Sequence, residues 1–237
     1  MSESNGNISR YGIYFSPRPG ALLYELGSRW LGRDVTTGEP VEPGLPDHLG
    51  RDEWLQVTES PRRYGFHATL KPPFRLRENT RFEDLQSAVH DFANRHESFE
   101  APPLGVGTLG RFLALTLSEP SQGFSRLAAD SVSEFDRFRA PASKQELTQR
   151  LHGSLSPRER EHVSQWGYPY VFDDWKFHMT LTCSLPPPSL PPFEQYLRHR
   201  FAPVGDEPLL VDSVCIFHEP YPGALFRLVD RACLRSS

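Results

Sequence analysis

The stretch Phe66-His67-Ala68-Thr69-Leu70 occurs a second time, with one change, as Phe177-His178-Met179-Thr180-Leu181. Both copies lie in short apolar stretches, which is typical of strands. Because strand side chains alternate between two faces, each histidine shares a face with the threonine two residues later. The apolar residues of each copy share the opposite face. We therefore predict two strands, each of which presents one imidazole and one hydroxyl and buries its apolar side.

Chance does not readily explain the duplication. His-x-Ser/Thr alone is common, since His96-Glu97-Ser98, His152-Gly153-Ser154 and His162-Val163-Ser164 also match it. The full Phe-His-x-Thr-Leu string has an expected count of roughly a few thousandths per chain from this composition. A single strand histidine is usually a hydrogen-bonded core residue, but two copies of the whole string favour a functional role.

Paired His-x-Thr-apolar strands resemble the 2H phosphoesterase superfamily, bilobed proteins that act on cyclic phosphates and 2′-5′ linkages. Longer strings are similar to one branch of it, which is associated with bacterial phosphonate-utilisation operons. These strings are Arg10-Tyr11-Gly12-Ile13-Tyr14-Phe15, Tyr64 to Phe74, Phe138-Arg139-Ala140-Pro141 and Trp166-Gly167-Tyr168-Pro169-Tyr170-Val171. The resemblance runs from about Arg10 to the second motif. It implies two lobes related by pseudo-twofold symmetry, with an active-site cleft between them.

Length and composition favour one folded, soluble unit. The chain has 237 residues, 38% hydrophobic content and a formal net charge of −4, so it has no overall positive charge for non-specific nucleic-acid binding. Three scattered cysteines do not form a disulfide framework or a Cys-x-x-Cys metal site. Residues 1–9 are polar and predict a disordered tail, and residues 10–237 predict a single bilobed domain. We expect a cytoplasmic protein with no membrane contact.

The remaining pattern predicts an α+β fold with two antiparallel sheets and flanking helices. Helices are predicted over Leu22–Leu31, after Arg81, over Phe124–Phe138, and in three further segments towards the carboxyl terminus. We predict that Tyr64–Lys71 and Phe177–Cys183 are the motif strands and that Pro72-Pro73 ends the first. The segment Thr36–Pro61 has little periodicity, and we interpret it as a flap near the site or a plain surface loop.

The two motifs carry the chemistry that opening a cyclic phosphodiester needs. Histidine can act as base or acid near neutral pH, so His67 and His178 are the predicted catalytic pair. Thr69 and Thr180 would donate hydrogen bonds to the non-bridging phosphate oxygens. Which histidine is the base, and hence the regiochemistry, stays open.

Five further residues match the strings of the branch, and the resemblance implies that they contact phosphate or sugar. They are Tyr64, Lys71, Arg139, Tyr168 and Tyr170. Simple packing of the Tyr168-Pro169-Tyr170 segment and an interlobe salt bridge of Arg139 are the alternatives.

No metal or cofactor is expected. Ligands at the short spacing of a zinc site are missing from the sequence, and His178 with Asp173 and Asp174 is the weak exception. The sequence also has no phosphate loop, no dinucleotide fingerprint and no Gly-x-Ser-x-Gly elbow.

These observations give a leading hypothesis and two rivals. The first is a metal-independent phosphodiesterase that opens a small cyclic phosphate, which the resemblance suggests is ribose-based and arises in phosphonate breakdown. The second is an RNA-end enzyme acting on 2′,3′-cyclic phosphates or 2′-5′ linkages. The third is a non-catalytic module that binds a nucleotide or phosphosugar. The expected partner is a small phosphorylated substrate rather than a stable nucleic-acid complex, and the oligomeric state is open.

Overall fold

The computed structural model describes residues 9–46, 49–152 and 154–236, so residues 1–8 of the predicted tail lie outside the described residues. Nine strands are assigned within these ranges: β1 Arg10–Phe15, β2 Ala68–Phe74, β3 Phe99–Ala101, β4 Leu104–Leu109, β5 Phe112–Leu117, β6 Met179–Thr180, β7 Leu209–Val211, β8 Ser213–Glu219 and β9 Arg227–Cys233. The α-helices in the same ranges are α1 Leu22–Leu31, α2 Arg51–Tyr64, α3 Phe82–Ala93, α4 Gln122–Phe135, α5 Lys144–Leu151, α6 Pro157–Trp166 and α7 Leu190–Phe201.

Seven strands form one antiparallel sheet in the order β4-β5-β6-β2-β1-β8-β9, and β3 pairs with β7 in a small second sheet. The α+β class, the antiparallel sheets and the flanking helices are therefore confirmed. The large sheet has two parts, β4-β5-β6 and β2-β1-β8-β9. They meet where β2 pairs with β6 through Ala68 and Met179, the middle residues of the two motifs.

Local sequence signals explain both ends of α6. The Ser156 hydroxyl accepts a hydrogen bond from the Glu159 backbone N–H at 3.2 Å, and the Glu159 carboxylate accepts one from the Ser156 N–H at 2.6 Å. This reciprocal cap, with Pro157 in the first turn, starts α6. Gly167 ends it with a φ of 74°, a left-handed conformation that glycine adopts without a Cβ penalty.

The expected flap over Thr36–Pro61 is wrong for its second half, because α2 begins at Arg51 and runs to Tyr64. Trp54, Val57 and Pro61 are buried at helical spacing, and Pro61 is an internal proline that suggested a loop. Its missing N–H would have bonded the Val57 carbonyl, which instead accepts the Cys183 N–H at 2.7 Å. A long-range bond thus compensates for the proline in a way that sequence reasoning could not detect.

The strand bounds also differ from the prediction. The first motif strand begins at Ala68 instead of Tyr64, and it continues through the two prolines to Phe74. Tyr11 pairs with Phe74 and Ile13 with Lys71, so two prolines lie opposite the single residue Gly12. This bulge leaves no ladder bond for the prolines to lose.

The second motif strand is shorter than Phe177–Cys183, since only Met179–Thr180 is regular. Beyond it, the Leu181 and Thr182 N–H groups both donate to the Leu113 carbonyl, which ends the regular register. Near the carboxyl terminus, Asp212 alone separates β7 from β8.

Candidate active site

The structure brings the two motifs together at the centre of the large sheet. Burial alternates along both copies: the Phe, middle and Leu positions are buried and the His and Thr positions are half-buried. This matches the predicted division into an apolar and a polar face. Since antiparallel neighbours are related by a local twofold axis, the pairing of Ala68 with Met179 places both His-Thr pairs on adjacent strands.

Both motif backbones are held by indole groups. Trp175 donates its Nε1–H to the Thr69 carbonyl at 2.8 Å, and Trp30 donates to the Leu181 carbonyl at 2.7 Å. Trp54 in turn donates to the Trp30 carbonyl at 2.7 Å. The helices α1 and α2 are thereby tied to the second motif, which fixes the strand that carries His178.

The two imidazoles have the same hydrogen-bonding arrangement. Nδ1 of His67 lies 2.9 Å from the Gly65 carbonyl oxygen, and Nδ1 of His178 lies 2.9 Å from the Lys176 carbonyl oxygen. A carbonyl only accepts, so each Nδ1 carries the proton and each neutral ring leaves Nε2 as the acceptor. Nε2 of His67 lies 3.2 Å from the Thr69 hydroxyl.

Burial sets the charge state of both rings. It lowers the pKa of His67 to about 4; the Gly65 carbonyl raises that pKa, and the positive charges of His178 and Arg33 lower it further. Burial also lowers the pKa of His178, which the Lys176 carbonyl partly offsets. The pairing of Ala68 with Met179 places the two imidazoles beside adjacent strands. Both are neutral at pH 7 in the free protein.

Aromatic side chains enclose His67. The Tyr14 ring stacks on it with centroids 3.9 Å apart, and the Phe217 and Tyr64 centroids lie 5.7 Å and 6.1 Å away. Gly12 makes the stacking possible, because a Cβ there would lie 2.5 Å from the Tyr14 ring. Sequence reasoning missed Tyr14, although a glycine two residues before an aromatic on one strand face was a usable signal.

A cavity of about 450 Å³ borders both motifs, although His67 and Thr180 are not among its lining residues. Thr69 of the first motif and His178 of the second both line it. The predicted residues Tyr168 and Tyr170 form part of its wall, with Phe112 and Lys176 among the others. Tyr168 is half-buried, and burial raises the pKa of its phenol, so the hydroxyl stays protonated and can donate.

Lys71 points into the protein. Its ammonium donates to the Val132 carbonyl at 3.1 Å and to the Asp136 carboxylate at 3.0 Å, and its side chain is only 2% exposed. Burial lowers the pKa of Lys71 to about 8, against the opposing charge of Asp136. Arg139 binds the same carboxylate, with Nε 2.7 Å from Oδ1. Lys71 is thus engaged in an internal ion pair away from the cavity lining.

Tyr64 and Arg10 lie on the His67 side of the site. The Tyr64 ring stacks on Phe226 with centroids 4.8 Å apart. Arg10 pairs with Glu219, which is fully buried and also binds Arg63. Burial by itself raises the pKa of Glu219, but the hydrogen bonds from the two arginines bring it below its usual value.

Among the described residues there is no group of three or more His, Cys, Asp or Glu side chains arranged to hold a metal ion. In the same part of the chain, no helix has the length and hydropathy needed to cross a membrane.

The structure has an α+β fold in which two His-x-Thr segments lie next to each other. The resemblance to the 2H phosphoesterases implies this arrangement, and the resemblance is confirmed in that respect. The chain belongs to the family described as "Protein of unknown function (DUF1045)", whose profile matches residues 69–227.

Two curated relatives share the name "Ribose 1,5-bisphosphate phosphokinase PhnN". The protein from Janthinobacterium sp. (strain Marseille) is 36% identical over 231 residues, which cover 94% of this chain and 50% of the relative. The protein from Laribacter hongkongensis (strain HLHK9) is 34% identical over 219 residues, which cover 92% of this chain and 50% of that relative. The chain therefore spans about half the length of the curated relatives it matches.

Similar solved structures include E. coli LigT in apo form, with a TM-score of 0.45 and 14% identity over 95% of this chain and 97% of that one. E. coli LigT complexed with 3′-AMP has a TM-score of 0.43 and 15% identity over 96% and 98% of the two chains. TT0787 of Thermus thermophilus has a TM-score of 0.43 and 17% identity over 96% and 99%.

Proposed function

We propose that this chain is a metal-independent phosphodiesterase that opens a small cyclic phosphate by two-histidine general acid/base hydrolysis. The observation that carries the proposal is the pairing of Ala68 with Met179. It brings two neutral imidazoles, each with an unprotonated Nε2, from distant parts of the chain to adjacent strands.

His67 is the better candidate for the base. Its pKa of about 4 keeps Nε2 unprotonated across the neutral range, and the charge on His178 lowers that pKa further. Nε2 would accept a proton from water as the water oxygen forms its bond to phosphorus. A pKa this low makes His67 a weak base in the free protein, and the anionic phosphate of a bound substrate would raise it towards the working range.

His178 would then supply the leaving-group proton. An anionic phosphodiester within a few ångströms favours the charged imidazolium, so substrate binding would protonate His178 although burial lowers its pKa in the free protein. As the ring opens, the phosphorus–oxygen ester bond breaks and the departing alkoxide takes the His178 proton. The product is an open phosphate monoester, and the two histidines have exchanged their protonation states.

The two threonines would stabilise the charge on phosphorus-bound oxygens. Thr69 lines the cavity, and its hydroxyl is already 3.2 Å from the His67 ring. Thr180 is half-buried on the adjacent strand. Hydroxyl donors aimed at an anion in a site shielded from water are worth more than the same bonds in bulk water.

The substrate class that we favour is a ribose-type cyclic phosphate. The names of the curated relatives contain ribose 1,5-bisphosphate, which supports a phosphorylated ribose as the ligand. The kinase activity in those names is a poor fit to the matched half, because this sequence has no Gly-x-x-x-x-Gly-Lys-Ser/Thr phosphate loop. The half that this chain matches would supply the phosphodiesterase step.

Phosphorus NMR of the protein with a panel of cyclic phosphates tests the proposal, because it reports whether a ring opens and which oxygen leaves. We expect His67→Ala and His178→Ala each to lower turnover by about 10²–10⁴-fold. The matched control is His90→Ala, since His90 is an exposed histidine paired with Asp230 outside the cavity. Activity should persist in EDTA.

Three results would count against the proposal. Loss of activity on chelation would overturn the metal-independent mechanism. Ligand-dependent stabilisation without product, for every cyclic phosphate tested, would support a binding module. Full activity in either histidine variant would remove that ring from the mechanism.

A further inference from the structure

Two guanidinium groups converge beside the cavity wall. A Cβ atom at position 167 would lie 3.1 Å from Nη1 of Arg150 and 3.2 Å from Nη1 of Arg139, so both groups pack against the same glycine. Gly167 directly precedes Tyr168, which lines the cavity. The charge on Arg150 also acts on the Tyr168 phenol. The arginine pair therefore adjoins the place where Tyr168 enters the cavity wall.

Among the residues that the structure describes, no carboxylate lies within ion-pair distance of Arg150. Glu146, one turn earlier on α5, binds Arg75 at 3.0 Å and the Ser143 N–H at 2.7 Å. Burial lowers the pKa of Arg150, and the positive charges of Arg10 and Arg139 lower it further, against the opposing effect of Glu146. The Arg150 guanidinium is therefore available to an anion from outside the chain.

The neighbouring cations are only partly neutralised. Lys71 and Arg139 share the single carboxylate of Asp136. Arg10 and Arg63 likewise share Glu219. This side of the site therefore carries an excess of positive charge. Holding half-buried guanidinium groups together is unfavourable unless an anion joins them.

We propose that Arg150 and Arg139 form a second anion subsite, which binds a phosphate group of the substrate other than the one that reacts. The substrate class, which rests on the proposed function, is then a cyclic phosphate that also carries a separate phosphate monoester. The Arg150 guanidinium fork matches phosphate oxygens in a bidentate manner, and Nη1 of Arg139 would add a donor, since Nε and Nη2 of Arg139 bind Asp136. The protonated hydroxyl of Tyr168 would add a donor from the cavity side.

Titration of the whole protein with inorganic phosphate, followed by calorimetry, tests the subsite without turnover. We expect two phosphates to bind, one at the His-Thr face and one at the arginine pair. Arg150→Gln should weaken the second by about 10–100-fold, the usual loss for a charge-assisted contact. Arg150→Lys keeps the charge but loses the fork, so it should recover part of the affinity. Arg126→Gln is the matched control, because Arg126 is 83% exposed on α4.

Phosphate binding that is absent, or that is equal in Arg150→Gln and the wild type, would overturn the subsite. Melting temperatures of all variants establish that each is folded. Phosphate titration of the double variant His67→Ala/His178→Ala, compared with turnover by the wild type, separates the subsite proposal from the catalytic proposal. If the wild type opens no cyclic phosphate but its phosphate binding depends on Arg150, only the proposed phosphodiesterase activity fails. If the wild type shows turnover but its phosphate binding does not depend on Arg150, only the proposed subsite fails.

Discussion

Mild acid should destabilise this protein through one buried ring. Burial lowers the pKa of His67 to about 4 in the folded state, against about 6.5 in an unfolded chain. Between these values the unfolded chain binds a proton that the folded protein does not. The free energy of unfolding therefore falls as the pH decreases through this window. The contribution is fully present above pH 6.5, and its loss is complete below about pH 4.

The size of the effect follows from the two pKa values. Between pH 7 and pH 5 the protonation of the unfolded state costs the fold about 2 kcal/mol from His67 alone. The carboxyl groups of Asp136 and Glu219 have lowered pKa values in the fold, so their titration lies mainly below pH 5. Between pH 7 and pH 5, the change in the free energy of unfolding therefore comes mainly from histidine.

Urea unfolding of the wild type and His67→Gln at pH 7 and pH 5 measures this contribution. The substitution changes the packing against Tyr14 equally at both pH values, so only the pH dependence of the difference matters. We expect the wild type to lose about 2 kcal/mol more than His67→Gln over this interval. His178→Gln and His218→Gln are the parallel variants for the two other histidines whose pKa is lowered by burial. Equal losses in the wild type and His67→Gln would refute a neutral, buried His67.

Four further substitutions test the packing around the site, and urea unfolding at pH 7 measures each. Gly12→Ala should cost about 1–3 kcal/mol and lower turnover, because the new methyl group would overlap Tyr14; unchanged stability would contradict that contact. Lys71→Met should keep turnover and cost about 1–3 kcal/mol, because the Val132 carbonyl loses its donor while Arg139 still pairs with Asp136. Asp136→Ala should cost about 3–5 kcal/mol by leaving two cations unpaired; loss of turnover in a folded Lys71→Met would instead place the ammonium in catalysis. Trp30→Phe should cost about 1–3 kcal/mol, since the carbonyl that accepts its indole N–H would lose its partner.

The sequence predicted the parts of the fold that local signals specify. Alternation within the two pentapeptides predicted which of their residues are buried, because a strand places successive side chains on opposite faces. These residues are Phe66, Ala68, Leu70, Phe177, Met179 and Leu181. Ser156 and Gly167 set the limits of α6 for a similarly local reason. The helix at Arg51–Tyr64 was not predicted, because it contains an internal proline. The N–H of Cys183, which is distant in the chain, provides the hydrogen bond that this proline cannot make.

For the site residues, the sequence indicated the chemical type of each side chain but not the direction in which that side chain points. Lys71 and Tyr168 matched the same set of family strings, yet Lys71 faces Asp136 inside the protein and Tyr168 lines the cavity. The register with β1 shifts between Thr69 and Lys71 and shifts again after Lys71, so alternation counted from the motif already fails at Lys71, which is buried next to the buried Leu70. Arg150 gave no local signal, since it comes from a short helix whose position depends on packing.

By itself, then, the sequence determined that two imidazoles and two hydroxyls would each lie on the polar face of a strand, because that follows from the period of an extended chain. Only the tertiary structure decided that these strands are neighbours, that His67 is enclosed by Tyr14, and that Arg150 and Arg139 meet beside Gly167. These features depend on contacts between residues far apart in the chain. No local pattern encodes such contacts, because they are set by the packing of the whole core.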